Sequence, residues 1–138
     1  MIVRESEQQM EFSDQFFHPA DDPVPDDHKY LRLRDAIGWE KVLGELESSY
    51  SENEGRPSIP LKNMVILLLI KHLEQLSDRA LIEKLSGSMP MQKALNIAYR
   101  DAQDYCHHSL LTHFRARIGE SGVNIIADAV EDFVKKKG

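Results

Sequence analysis

The sequence predicts an all-α fold, a compact bundle of about six or seven helices containing helix-turn-helix-like elements. Three observations carry that reading. After Asp27, apolar residues recur at three- and four-residue steps, the helical period. The breaks between these stretches hold helix start and stop residues, among them Ser77, Gly87, Ser88 and Gly119. No segment reads convincingly as a strand, and no internal repeat is found.

Met1 to Asp27 reads as an acidic, flexible leader. Its last part, "HPADDPVPDD" (His18–Asp27), holds three prolines and four aspartates and reads as a solvated connector rather than a cation site, which needs oxygens fixed in a defined loop. Residues 28–138 form the expected helical domain, and 138 residues suit one domain on the scale of about 100–150 residues.

In "HKYLRLRDAIGWEKVLGELESSY", Leu31, Ile37, Trp39, Val42, Leu43 and Leu46 fit one helix, or two short ones broken near Gly38. "SENEGRPSIP" is a loop, and its Pro60 suits the first turn of the next helix, where a missing N–H is harmless. That helix, Pro60 to about Gln75, is apolar over most of its circumference from Met64 to Ile70, as a helix at the centre of a bundle should be. Trp39 and this run are read as core. Ser77 is a good N-cap for a helix over Asp78–Leu85, and Asp78 suits its dipole. Gly87 ends it, and Ser88 caps another short helix in "SMPMQKALNI".

Two stripes close the chain. Leu110, Leu111, Phe114 and Ile118 form one, with Gly119 just past its helix end. Val123, Ile126, Ala127, Val130 and Phe133 form the other.

Composition excludes several classes. A single cysteine, Cys106, rules out an internal disulfide and is compatible with a reducing cytosol. "MIVRESEQQMEF" lacks the apolar stretch of a signal peptide. The Met64–Ile70 run falls far short of the roughly 20 residues that span a bilayer. A soluble, cytoplasmic protein with no membrane partner is therefore expected.

Charge is segregated. Residues 1–54 hold 5 Lys/Arg and 14 Asp/Glu, a net −9, whereas residues 55–138 hold 12 and 9, a net +3. A mildly basic domain behind an acidic leader points only weakly to nucleic acid.

The chain shows no Gly-rich phosphate loop, CxxC pair or nucleophile elbow. In "CHHSLLTH", the soft ligands Cys106, His107, His108 and His113 lack metal spacing, because His108 and His113 lie five apart rather than three or four. No metal or cofactor is expected.

The cations are more informative. With the Leu110–Ile118 stripe turned inward, His108, Ser109, Thr112, His113 and Arg115 face outward and Arg117 lies at the edge. Such a face has the reach and donors for phosphates and base edges. The Lys135–Lys137 run reads as a solvated helix end.

Taken together, "YSENEGRPSIPLKNMVILLLIKHLEQLSDRALIEKL", "MPMQKAL" and "HFRARIGESGVNIIADAV" resemble the N-terminal domain of DDE-type bacterial insertion-sequence transposases. The matching features are Trp39, Gly55–Arg56–Pro57, the apolar helix at Met64–Ile70, Leu76–Ser77–Asp78, Met91–Gln92 and His113–Phe114–Arg115, in order over about Asp27 to Val134. Two positions depart from the pattern. His107 and His108 stand where the family often has Asp and a small residue or proline, so its usual helix-start cap is missing, and Ala94 replaces an aromatic.

The resemblance implies a helical module that precedes a ribonuclease H-like catalytic domain and recognises the element's terminal inverted repeats. Only "KKKG" follows Val134, so this chain is expected not to cut DNA itself. Arg56, Lys62, Arg79, Thr112, His113, Arg115 and Arg117 are the candidate DNA contacts, with the helix over His108–Ile118 as the recognition element. The alternative is an interaction module that pairs protomers into a homodimer or packs on the parent's catalytic domain. The apolar central helix and negative total charge favour that alternative.

Overall fold

The structure is a computed structural model that describes residues 23–51 and 59–137, with the side chains of 48–51 and 137 excepted. Most of the acidic leader, the Gly55–Arg56–Pro57 motif and hence the candidate contact Arg56 lie outside the described residues.

Seven helices make up the described residues: α1 (Lys29–Ala36), α2 (Trp39–Ser51), α3 (Leu61–Glu74), α4 (Asp78–Gly87), α5 (Met89–Leu95), α6 (Tyr99–Ala102) and α7 (His108–Lys137). The all-α expectation holds, and no strand occurs among the described residues.

The break near Gly38 is real and divides α1 from α2. Its geometry is set by Trp39, whose indole N–H donates to the Arg34 carbonyl at 2.9 Å and so satisfies the end of α1. Trp39 is not core, as the sequence suggested. It is half-buried at the edge of the bundle, with the Lys62 ammonium 4.9 Å above its ring.

Helix α3 is the axis. Met64 through Ile70 are all buried, and α1, α2, α4, α5 and α7 all pack on it. An isolated helix with this sequence would expose seven consecutive apolar side chains, each worth roughly 1.5–3 kcal/mol when removed from water. The bundle consumes every one of them internally. The apolar circumference of α3 therefore gives no support to a pairing surface.

Helix α3 stops at Gln75, which adopts the left-handed conformation (φ 57°, ψ 53°), and Ser77 starts α4 as expected, its hydroxyl accepting from Ala80 N at 3.1 Å. Ser88 likewise caps α5 by accepting from Met91 N at 3.2 Å, and Asn96 ends it with φ 58°. The one-turn α6 has no counterpart in the sequence reading, being too short to show a period.

Gln92, from the Met91–Gln92 motif, is buried, and its amide donates to the Leu85 and Ser86 carbonyls at 3.0 and 3.5 Å. Gln103 adds a bond to Ser86 O at 2.7 Å. Two glutamines, with Ser88 N donating to Leu85 O at 3.4 Å, thus satisfy carbonyls at the end of α4.

Gly119 interrupts α7 with φ 75° and ψ 179°, a backbone state reserved for glycine, and turns the two predicted stripes into two helical halves. Leu111, Phe114 and Ile118 of the first half and Ile126 and Val130 of the second are buried.

The folded body begins before Lys29. Val24 is buried, and Lys93 Nζ binds both its carbonyl and Asp26 at 3.1 Å. The last residues of the expected leader thus pack on the domain.

Candidate nucleic-acid interface

The first half of α7 presents Thr112, His113 and Ala116 to solvent, with His108, Ser109, Arg115 and Arg117 half-buried beside them. Residues 105–119 carry two arginines and three histidines and no acidic residue.

The start of α7 is capped after all. His107 Nδ1 accepts from Ser109 N at 3.1 Å and lies 2.8 Å from the Ser109 hydroxyl, and its ring stacks on His108 with centroids 4.2 Å apart. The family's usual Asp cap is absent, as the sequence implies, and an imidazole nitrogen takes its place. His28 caps α1 in the same way, accepting from Tyr30 N at 3.1 Å.

Arg115 does not face open solvent. Its guanidinium grips Asp78 through two bonds of 2.6 and 2.8 Å, Thr112 donates to the same carboxylate at 3.1 Å, and Lys71 lies 3.9 Å away. The Arg115 hydrogen bonds, outweighing partial burial, hold the Asp78 carboxyl below the usual carboxylate range and raise Arg115 in turn. A wheel drawn for one helix cannot show this, because the partner comes from α4. Asp78, which the sequence marks as a dipole residue and as part of the Leu76–Ser77–Asp78 motif, is the centre of the cluster.

The other candidates fall in separate places. Arg79 is exposed on α4 and makes no ion pair with any described residue. His113 and Arg117 line a depression of about 430 Å³ on the other flank of α7, floored by Met64, Leu110 and Phe114. Lys62, exposed over Trp39, lines a larger groove of about 750 Å³. The first turn of α3 contributes to both concavities, with Lys62 and Asn63 in one and Met64 in the other. Lys62 thus lines one concavity and His113 and Arg117 the other, while Thr112 and Arg115 brace α7 on α4.

Asn63 and Tyr105 escaped the sequence reading. Asn63 donates to Tyr105 Oη at 2.8 Å and to Leu95 O at 3.3 Å. Nothing in their local sequence marks them, since three elements meet there.

Among the described residues no group of three His, Cys, Asp or Glu is placed to hold a metal ion. Burial pushes the Cys106 thiol up to about 11, which makes it a poor ligand or nucleophile at neutral pH. No helix among the described residues is long and apolar enough to cross a membrane.

A family model described as "Transposase domain (DUF772)" matches residues 18–117. No curated protein matches the chain, and no solved structure matches it. The matched span covers well over half of the sequence, and the chain belongs to this transposase domain family.

Proposed function

We propose, for a chain of this transposase family, that the domain is a non-catalytic DNA-binding module that recognises the terminal inverted repeats of its element. The observation that carries the reading is the acid-free stretch 105–119, most of it on α7, where His113 and Arg117 line one depression; Lys62, at the start of α3, lines a separate groove. Cations and imidazoles on a rigid helical scaffold suit phosphate contacts, with His113, exposed on α7, available for base edges and Thr112 held on Asp78. Arg115 serves as the brace that fixes the orientation of α7, and Arg79 extends the cationic surface on α4.

The test is binding of the full chain to a labelled duplex carrying the terminal repeats, against a scrambled duplex, across a range of salt. Repeats should bind more tightly than scrambled DNA. The triple variant Lys62→Ala/His113→Ala/Arg117→Ala should bind more weakly and lower the slope of log affinity against log salt by roughly 2, as loss of two permanent phosphate contacts requires. Equal affinity for both duplexes in a folded protein would remove end recognition.

One observation favours the pairing alternative. The buried line Ile126–Val130 continues along α7 to Val134, which is 49% exposed. A concentration-dependent mass abolished by Val134→Glu, without DNA binding at low salt, would favour that reading.

A further inference from the structure

We propose that the groove between α1, α3 and α5 is a nucleotide site, taking one unpaired, amino-bearing nucleobase with its phosphate at Lys62. This inference rests on the DNA-binding reading and adds to it a ligand class and a set of reading groups.

The groove, about 750 Å³, has the size of a small-ligand site. Its chemistry is lopsided. Asn63 spends both amide hydrogens on Leu95 O and Tyr105 Oη, so its Oδ1 is left as an acceptor. The Tyr105 oxygen accepts from Asn63, which leaves its own proton to be donated. Asp101 adds a carboxylate to the lining, and Asn96 adds an exposed amide on a left-handed turn. One wall is closed by Arg34, which is held by Asp35 at 3.0 Å and reaches the Lys93 and Ala94 carbonyls at 3.4 Å. Lys62 stands at the rim, propped on the Trp39 ring.

Acceptors at Asp101 and Asn63 call for a ligand with an exocyclic amine, and the Tyr105 proton calls for a neighbouring ring nitrogen. Cytosine and adenine carry both on one edge, whereas thymine offers an oxygen where the amine would be. In a duplex the pairing edge is occupied by the partner base, so cytosine must be unpaired to present both groups; adenine repeats the pattern at N6 and N7 in the major groove, which makes the dC overhang the decisive arm. An apolar cleft would not discriminate in this way, and an all-cationic one would read only phosphate.

The experiment uses the full chain and four DNAs: a blunt duplex and the same duplex with a single dC, dA or dT overhang, read by fluorescence anisotropy. A parallel arm adds dCMP alone and follows the single tryptophan, Trp39, whose face Lys62 covers. The dC and dA overhangs should bind about tenfold more tightly than dT or blunt ends. Tyr105→Phe, and Asp101→Ala, which removes the carboxylate acceptor, should erase that difference while blunt binding stays unchanged. Blunt binding with no overhang preference and no dCMP response overturns the groove and leaves the DNA-binding reading intact. A dCMP response lost in Tyr105→Phe, without binding to any duplex, supports the groove as a free-nucleotide site and overturns the DNA-binding reading. Absence of every signal overturns both.

Discussion

Arg115 and Asp78 meet through a two-pronged ion pair, with bonds of 2.6 and 2.8 Å, that ties the first half of α7 to the first turn of α4. The side chains are 30% and 15% exposed, so the pair lies between a surface bridge, worth little, and a buried one whose disruption costs several kcal/mol. Arg115→Ala should destabilise the domain by about 1–2 kcal/mol in urea unfolding, and Arg115→Lys should recover only part, because a point charge cannot reproduce the fork. A double-mutant cycle with Asp78→Ala isolates the coupling, and a value near zero would return Arg115 to the solvent face.

Gly119 and Gly122 test the kink in α7 by different physics. At Gly119 the obstacle is the backbone: φ 75° with ψ 179° strains any residue bearing a Cβ, although nothing lies within 4 Å of one, so Gly119→Ala should cost about 1–3 kcal/mol. At Gly122 the obstacle is space. An added Cβ would sit 2.7 Å from Ile118 Cβ and 3.0 Å from Leu46 Cδ2. Gly122→Ala should therefore lower the melting temperature, and Leu46→Ala, which removes one of the two neighbours, should make that substitution less damaging than in the parent protein.

Most helices were legible because their signals are local. Ser77 and Ser88 cap where a hydroxyl before an apolar run should, and the Met64–Ile70 run announces a central helix. What stayed hidden depends on a partner distant in sequence. Arg115 reads as an outward cation until Asp78 arrives from 37 residues away, and Tyr105 is unremarkable until Asn63 comes from 42. The histidine caps were missed for another reason: imidazole ranks low among capping residues, although its ring nitrogen accepts at 3.1 Å in both α1 and α7. The family resemblance was legible as a motif order, yet part of that order proves architectural, since Gln92 faces carbonyls and Asp78 faces Arg115.

Gln92 provides a third prediction. Its buried amide is the donor that the α4 carbonyls of Leu85 and Ser86 share, so Gln92→Leu keeps much of the volume and removes the hydrogen bonds. Leaving buried carbonyl capacity unmet costs about 1–3 kcal/mol. The Gln103 bond to Ser86 O moderates the loss at that carbonyl, and the longer bond from Ser88 N, at 3.4 Å, moderates it less at Leu85. Gln92→Leu should destabilise more than Gln103→Leu, and the reverse order in urea unfolding would show that the buried amide is the lesser cap.

Stability should fall with pH in two stages. Partial burial, with Lys29 beside it, lowers His28 from its usual value of 6.5. A histidine depressed in the folded state contributes stability that is complete above 6.5 and is lost as pH falls through the folded value. Protonation also removes the acceptor for Tyr30 N and sets a positive charge on the positive end of α1. Asp78, held below its usual 3.8 chiefly by the Arg115 hydrogen bonds, contributes stability that is complete above 3.8 and is lost as pH falls through its own folded value. Melting temperatures measured from pH 8 to pH 3 should therefore drop first below about 6.5 and again below about 4. His28→Asp supplies a carboxylate cap that stays charged through the first window, so it should shrink the first drop and leave the second. Asp78→Asn should do the opposite. If His28→Asp leaves the first drop untouched, the α1 cap is not what titrates there.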